Sequence, residues 1–240
     1  STLTVGGAVF AGTLASPLLV YCVNHTLGKA QGFSISVSTF LAAASIAYAY
    51  GEGLGRLACI SFGCCYGKPV ASLPLFVQKL FARFYLQFSG ATKKITYASG
   101  LDNTKVVPVQ IITAIISCGA ALAGTGMYLA GEFRLAVVSS LLITQIWRFL
   151  SEFLRADFRG SLKITPYQIM AGLTIVYAVT AACMFHEQST LPVLTRGLSC
   201  LWNPGIIFFI EGIWLVSFLY TGRSQVTGAQ IRFHVNHIKS

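Results

Sequence analysis

Charged residues are scarce in this sequence of 240 residues. They make up 10% of the chain, whereas soluble domains carry about 25%. Hydrophobic residues account for 55%, and the mean hydropathy is +0.69. This composition excludes an ordinary soluble domain, because so much apolar surface would remain in contact with water. It favours an integral membrane protein, for which lipid is the solvent.

Several motifs of soluble enzymes are also missing. The sequence has no Walker loop, no GxGxxG after a strand, and no Ser-His-Asp arrangement. None of its four histidines lies inside an apolar run. Its basic residues flank the apolar runs and form no separate basic domain, which argues against a nucleic-acid partner. There is no internal repeat, low-complexity tract or linker.

Seven cysteines are present, and several of them lie inside apolar runs, where cysteine behaves as a small hydrophobe. Cys59, Cys64 and Cys65 are close together in the sequence. They lack the CxxC spacing and the second ligand cluster of a typical zinc site. The sequence therefore predicts no metal site.

Apolar runs long enough to cross a bilayer of roughly 30 Å as helices set the expected architecture. Two further segments belong outside or at the surface of the membrane. Leu73–Phe88 carries Lys79 and Arg83 four residues apart and predicts an amphipathic interfacial helix, and 93–107 predicts a short hairpin. The candidate spans are Leu3–Val23, Ile35–Leu57, Pro108–Ala130, Leu135–Leu154, Pro166–Phe185 and Ile206–Tyr220.

The sequence therefore predicts an all-α polytopic membrane protein with about six transmembrane helices. Residues 1–222 form a single transmembrane domain, with a small amphipathic or extramembrane insertion at about 68–107. A polar tail follows at 223–240. Because the first residue is Ser and an apolar run begins at once, we expect a fragment or a processed form with earlier helices missing.

The chain has 17 basic and 7 acidic residues. If six spans alternate, most of the basic residues fall on the side of Arg56 and Arg155, and few fall on the side of Lys29 and Arg134. One interpretation is topology, with the crowded side in the cytoplasm. The other is a surface that gathers anionic lipid headgroups.

A charge inside the bilayer is a functional candidate by default. Arg56 stands among closely spaced glycines that begin at Gly51 and end at Gly67. This pattern predicts a helix end facing a polar pocket, with close packing of small residues as the alternative.

Arg148, Glu152 and Arg155 have i, i+4 and i+7 spacing, which predicts one shared helix face. Two guanidiniums around one carboxylate suit a phosphate, and the alternative is a self-contained ion pair. Gln110 and Gln168 follow prolines that start spans, and we expect both glutamines at the same membrane face as Arg56.

These motifs together resemble the prolipoprotein diacylglyceryl transferase family. They are Gly-Arg-Leu-x-Cys…Gly-Cys-Cys-Tyr-Gly at 55–67, Pro-x-Gln at 108–110, Arg-x-x-x-Glu-Phe-x-Arg at 148–155, and Gln168 at the start of a later span. The resemblance covers roughly 4–185. It implies a multi-pass enzyme of the bacterial cytoplasmic (inner) membrane with an extracytoplasmic active face.

The resemblance also implies the reaction. The enzyme moves the diacylglyceryl group of phosphatidylglycerol onto the lipobox cysteine thiol of a prolipoprotein, at its signal peptide, and needs no cofactor. Arg56, Arg148 and Glu152 are the predicted catalytic residues. The predicted lipid-binding residues are Gly55, Gly63, Gly67, Gln110, Arg155 and Gln168.

The chain departs from the family pattern at several polar positions. Val5 stands where the family has the histidine of His-Gly-Gly, and Thr144 replaces a tyrosine. The family's His-Pro-x-Gln-Leu-Tyr-Glu is Val-Pro-Val-Gln-Ile-Ile-Thr at 107–113. Three hypotheses stay open: a diverged transferase, a non-catalytic relative that binds anionic lipid or serves as an assembly subunit, and a small transporter.

Overall fold

The computed structural model describes residues 5–157, 164–185 and 191–222, and for 5, 6 and 220–222 the backbone alone. The predicted polar tail, 223–240, lies outside these residues. The chain divides into two compact units, Leu3–Pro192 and Val193–Ser240. The helices of the first unit are α1 Val5–Val23, α2 Lys29–Gln31, α3 Val37–Phe62, α4 Leu75–Phe81, α5 Lys94–Ser99, α6 Val109–Leu129, α7 Phe133–Ser151 and α8 Pro166–Met184.

Among the described residues, four helical spans are long and apolar enough to cross a membrane: Gly7–Gln31, Val109–Leu129, Phe133–Leu154 and Pro166–Met184. The first continues α1 through a π turn into α2. The bent pair in the second unit would raise the number to five. The chain is thus a multi-pass, nearly all-α membrane protein, but the expected number of about six spans is not confirmed.

Helix α3, which corresponds to the predicted span Ile35–Leu57, is not among these four spans. Its 26 residues reach about 39 Å at roughly 1.5 Å per residue. It packs mainly against α6 and α7, and also against α1. The polar and charged residues that lower its hydropathy face these neighbours, and they form the site described below.

Glycines allow the central helices to approach one another. A Cβ added at Gly53 of α3 would lie 2.6 Å from Cys118 Sγ of α6. A Cβ added at Gly124 of α6 would lie 2.2 Å from Ser140 Oγ of α7. Small residues of this kind are typical of helix contacts in membranes, where close packing replaces the hydrophobic effect.

An apolar core lies towards the start of α3 and α7. Leu41, Phe133 and Leu141 are buried there, together with Ala178 of α8. The ring of Phe133 meets that of Tyr128 edge to face, with the centroids 5.0 Å apart. This core holds α3, α7 and α8 together at the end of the bundle away from Glu52 and Arg148.

The insertion between α3 and α6 differs from both sequence predictions. The helical part of 73–88 is only α4, Leu75–Phe81, so Arg83 lies beyond its end and does not share a helical face with Lys79. No hairpin forms within 93–107. Instead β1, Leu86–Gln87, pairs antiparallel with β2, Lys105–Val106, and α5 lies between them in the chain. A second core of Tyr66, Phe88, Ile95 and Val106 secures this layer.

The second unit contains α9, Leu194–Cys200, and α10, Pro204–Gly222. The predicted span Ile206–Tyr220 lies within α10. The two helices are bent by 70° relative to each other, and Trp214 stacks on Phe218 within α10. They form either a broken span or a re-entrant loop.

Candidate active site

A charged cluster lies between α3 and α7, centred on Glu52. Arg56 Nη2, one turn along α3, donates a hydrogen bond to Glu52 Oε1. Arg148 Nη1 of α7 lies 3.9 Å from Glu52 Oε2. The three side chains are 8–14% exposed. Because an unpaired charge is costly in a membrane, this carboxylate stabilises both buried guanidiniums.

Tyr48 extends the cluster by one further turn of α3. Its hydroxyl accepts hydrogen bonds from Gln145 Nε2 at 3.2 Å and from Arg148 Nη1 at 3.3 Å. Arg148 is therefore held at two points on α3, the Tyr48 hydroxyl and the Glu52 carboxylate. The Nε atom of Arg56 is buried and has no hydrogen-bond partner in the part of the chain that the structure describes.

The prediction that Arg148, Glu152 and Arg155 share one helix face is wrong. The α-helix α7 ends at Ser151, a 3-10 turn covers Glu152–Leu154, and Arg155 is extended, with φ −88° and ψ 149°. The carboxylate that contacts both Arg56 and Arg148 is Glu52. Glu152 accepts a 3.5 Å hydrogen bond from Thr165 Oγ1.

Arg155 is fixed from two sides. Its guanidinium donates to both carboxylate oxygens of Asp157, at 2.8 and 3.0 Å, and its backbone forms a β-bridge with Gly67. Burial acts to lower the pKa of Arg155, but the bond to Asp157 and the charge of Asp157 leave that pKa raised. The side chain therefore remains charged although it is 5% exposed.

The predicted charged residues do come together around one small cavity. Its volume, about 10 Å³, is close to the minimum that holds one water molecule. Polar and charged side chains from α3, α6 and α7 surround it. The lining residues are Tyr48, Glu52, Arg56, Thr113, Ser117, Thr144, Trp147, Arg148, Ser151, Glu152 and Arg155.

An apolar groove of about 300 Å³ lies beside this cavity, between α1 and α3. Its walls include Val9 and Leu19 of α1 and Phe40 and Leu41 of α3. Tyr48 lines both the groove and the cavity. A polar, arginine-rich cavity and an apolar groove therefore meet at one side chain, which is the arrangement that an amphipathic ligand requires.

The predicted glycines have different surroundings. A Cβ on Gly67 would lie 2.4 Å from the Val107 carbonyl oxygen, and Gly63 ends α3 in the left-handed conformation, with φ +62°. A Cβ on Gly55 would have no neighbour within 4 Å. Gly63 and Gly67 are thus required by the backbone, whereas Gly55 leaves open space beside Arg56.

The two predicted glutamines are structural partners and do not line the cavity in the described part of the chain. Gln110 Nε2 donates to the Cys64 carbonyl at 2.9 Å, which ties α6 to the turn after α3. Gln168 forms a capping box with Thr165 at the start of α8. Gln168 also donates to the Phe149 carbonyl at 3.4 Å.

Glu52 and Tyr48 line the cavity but are not among the predicted catalytic or lipid-binding residues. The i, i+4 spacing of Glu52 and Arg56 was the available signal for the ion pair. Trp147 and Thr113 were missed as well, and the indole Nε1 of Trp147 donates to Thr113 Oγ1 at 2.8 Å. Thr113 stands where the family resemblance places a glutamate. No local pattern links these two residues, because they lie on different helices.

The fold and the cavity together define a multi-pass membrane protein with a buried basic site between its helices. The model of the prolipoprotein diacylglyceryl transferase family matches residues 2–185. The chain belongs to this family. Members act in the membrane on lipid and prolipoprotein substrates. No curated protein and no solved structure matches the chain.

Proposed function

We propose that this protein transfers the diacylglyceryl group of phosphatidylglycerol to the lipobox cysteine thiol of a prolipoprotein, in the bacterial cytoplasmic membrane. The observation that carries the proposal is the meeting of the arginine-lined cavity with the apolar groove at Tyr48. The acyl chains would occupy the groove, and the phosphate would face Arg56 and Arg148.

The phosphate has to enter a cavity that now has room for one water molecule. Arg148 and Glu52 are only loosely paired, at 3.9 Å, so this is the contact that an incoming anion can replace. Guanidinium binds phosphate oxygens in a bidentate manner. In the proposed complex the lipid phosphate takes the place of Glu52 beside Arg148, and Arg56 retains the carboxylate.

The reaction forms a bond between the acceptor sulfur and a glyceryl carbon, and it breaks the bond from that carbon to the phosphate oxygen. The thiol proton passes to water, and glycerol phosphate departs with the bonding electron pair. Arg56 and Arg148 would stabilise the charge that develops on the phosphate. Glu152 lines the same cavity. We propose it as the third catalytic residue, beside Arg56 and Arg148.

A non-catalytic, lipid-binding relative is the second candidate, and one observation favours it. Two threonines, Thr113 and Thr144, replace polar family residues, and both already form hydrogen bonds within the protein. Thr113 Oγ1 donates to the Val109 carbonyl and accepts from Trp147, and Thr144 Oγ1 donates to the Ser140 carbonyl. Neither hydroxyl is a strong base. The small transporter hypothesis stays an untested prediction.

The deciding experiment mixes purified protein with radiolabelled phosphatidylglycerol and a lipobox peptide. We expect label on the peptide cysteine, reduced to background by Arg56→Ala and by Arg148→Ala. Arg83→Ala is the matched control, because Arg83 is exposed and lies outside the cavity. It should retain full activity.

Lipid that co-purifies with the protein supplies a second readout. Phosphatidylglycerol bound in an Arg148-dependent way without any label on the peptide would contradict catalysis and support the lipid-binding alternative. If both arginine variants fail to fold, Arg56 and Arg148 instead have a structural role in the packing of the helices.

A further inference from the structure

Three thiols meet at the end of α3, although their spacing in the sequence is not that of a zinc motif. The Sγ atoms of Cys59, Cys64 and Cys65 all lie within 4.8 Å of one another. Cys59 belongs to the last turn of α3, and the other two follow the turn at Gly63. The three residues are partly buried and free of disulfide bonds.

The backbone turns sharply to bring the thiols together. Gly63 has φ +62° and Cys65 has φ +56°, a conformation that residues other than glycine rarely adopt. The amide of Cys64 donates to the Cys59 carbonyl at 3.1 Å. Two left-handed residues on either side of Cys64 therefore fold the chain back over the helix end and place all three sulfurs on one side.

The surrounding structure holds this turn in place. Gln110 donates to the Cys64 carbonyl, and Ala156 N donates to the Tyr66 carbonyl at 3.2 Å. Gly67, which follows, leaves no space for a Cβ against Val107. The thiols are thus positioned by α6 and by the segment after α7, as a preorganised ligand set requires.

The spacing of the sulfurs suits a metal ion. With metal–sulfur bonds of about 2.3 Å, ligand sulfurs lie about 3.8 Å apart in a tetrahedral site. Sulfurs that already lie within 4.8 Å of one another need to move by about 1 Å or less. Thiolates prefer soft ions such as zinc or copper(I) over magnesium or calcium.

Two arginines lie close to the thiols along the backbone. Arg155 forms a β-bridge with Gly67, two residues after Cys65, and Arg56 precedes Cys59 by one turn of α3. Positive charge near a thiol favours the thiolate, which is the form that binds metal. A divalent ion with three thiolates carries a net charge of about −1 by formal count. That anionic complex would lie against Arg155 rather than exposed to lipid.

We propose that Cys59, Cys64 and Cys65 form a three-thiolate site for a soft metal ion of the zinc class, with the fourth coordination position open. On binding, three S–H protons pass to water as three metal–sulfur bonds form, and no electron is transferred. The proposal does not depend on the proposed transferase function. It differs from the sequence prediction of no metal site, which rested on the lack of CxxC spacing and of a second ligand cluster.

The test uses the full chain, purified in detergent under reducing conditions and freed of metal. Cadmium is titrated first, because its thiolate complexes absorb in the ultraviolet, and zinc is then added in competition. We expect one equivalent of either ion to bind. Cys65→Ser should weaken binding by about 100-fold or more, since even the loss of outer-shell partners costs 10–100-fold.

The matched controls are Cys22→Ser and Cys183→Ser, whose side chains are exposed on other helices. Both should bind metal as the unchanged protein does. Absence of binding, or equal binding in Cys65→Ser and in the controls, would overturn the proposal.

A second measurement covers the case in which Cys65→Ser does not fold. The unchanged protein is treated with maleimide with and without zinc, and the labelled cysteines are identified by mass spectrometry. Zinc should protect Cys59, Cys64 and Cys65 together and leave Cys22 reactive. Protection of none of the three would reject the site.

Discussion

The two ends of α3 and α7 are built from the same pair of helices but are held by different interactions. At one end Leu41 packs with Phe133 and Leu141 in an apolar core. At the other end Glu52 and Arg148 join the helices through charge. Apolar side chains gain little from leaving lipid, so the first end depends on close fit. The second end places costly polar groups where a ligand can use them.

This comparison predicts that loss of packing at the apolar end affects stability and leaves the chemistry intact. Phe133→Ala should lower the free energy of unfolding by about 3–5 kcal/mol, because a buried aromatic ring leaves a cavity. Transfer activity per folded molecule should not change. Thermal unfolding in detergent, together with the labelled-lipid assay, measures both quantities.

Leu135→Ala is the control for Phe133→Ala, since Leu135 lies on the same helix and is 53% exposed. It should alter stability by less than about 0.5 kcal/mol. If the two changes destabilise the protein equally, the apolar core does not stabilise the packing of α3, α7 and α8 as proposed.

At the polar end, Glu52→Gln should destabilise the protein by about 3 kcal/mol, because it leaves buried arginines without their carboxylate. Adding phosphatidylglycerol should restore much of this loss, since a phosphate can replace the carboxylate beside Arg148. Phosphatidylcholine serves as the comparison lipid, because its headgroup carries no net charge. Thermal unfolding with each lipid provides the measurement.

An equal effect of the two lipids on Glu52→Gln would contradict anion binding at Arg148. The double variant Glu52→Gln/Arg56→Gln tests the pairing itself. Removing both members of a buried pair should cost less than removing one, so partial recovery is expected. No recovery would mean that Glu52 acts mainly through Arg148.

The smallest expected change in stability concerns the close packing of α3 against α6 near the charged residues. Gly53→Ala places a methyl group 3.1 Å from the Cys118 backbone nitrogen and 3.2 Å from the Ala114 carbonyl oxygen. Overpacking of this kind costs about 1–3 kcal/mol. Gly51→Ala, on the same helix, meets nothing within 4 Å and should be neutral or slightly stabilising. Similar unfolding temperatures for the two variants would show that α3 and α6 can separate without loss.

Helix positions could be predicted because they depend on local composition. The apolar runs 108–130 and 166–185 correspond closely to α6 and α8, since helix formation in lipid satisfies the backbone within each segment. The number of spans could not be predicted as well. The polar residues of α3 reduce its hydropathy, and α10 belongs to a bent pair.

The candidate site was predicted in part. Arg56, Arg148, Glu152 and Arg155 do line one cavity, as expected of charges that need partners in a membrane. The predicted helix face shared by Arg148, Glu152 and Arg155 was wrong, because the i, i+4, i+7 spacing assumes a continuous α-helix. The α-helix ends at Ser151, and the 3-10 turn and the extended Arg155 that follow do not continue its regular face.

The sequence by itself determined that this is a multi-pass helical membrane protein of a known enzyme family, since hydropathy and motif residues are local properties of the chain. Only the tertiary structure decided that Glu52 joins Arg56 and Arg148, and that three thiols meet beyond α3. The first arrangement depends on the contact between Arg148 and Glu52, which joins two helices that are distant in the chain. The second depends on the backbone reversal at Gly63 and Cys65, which brings together thiols whose spacing matches no metal motif.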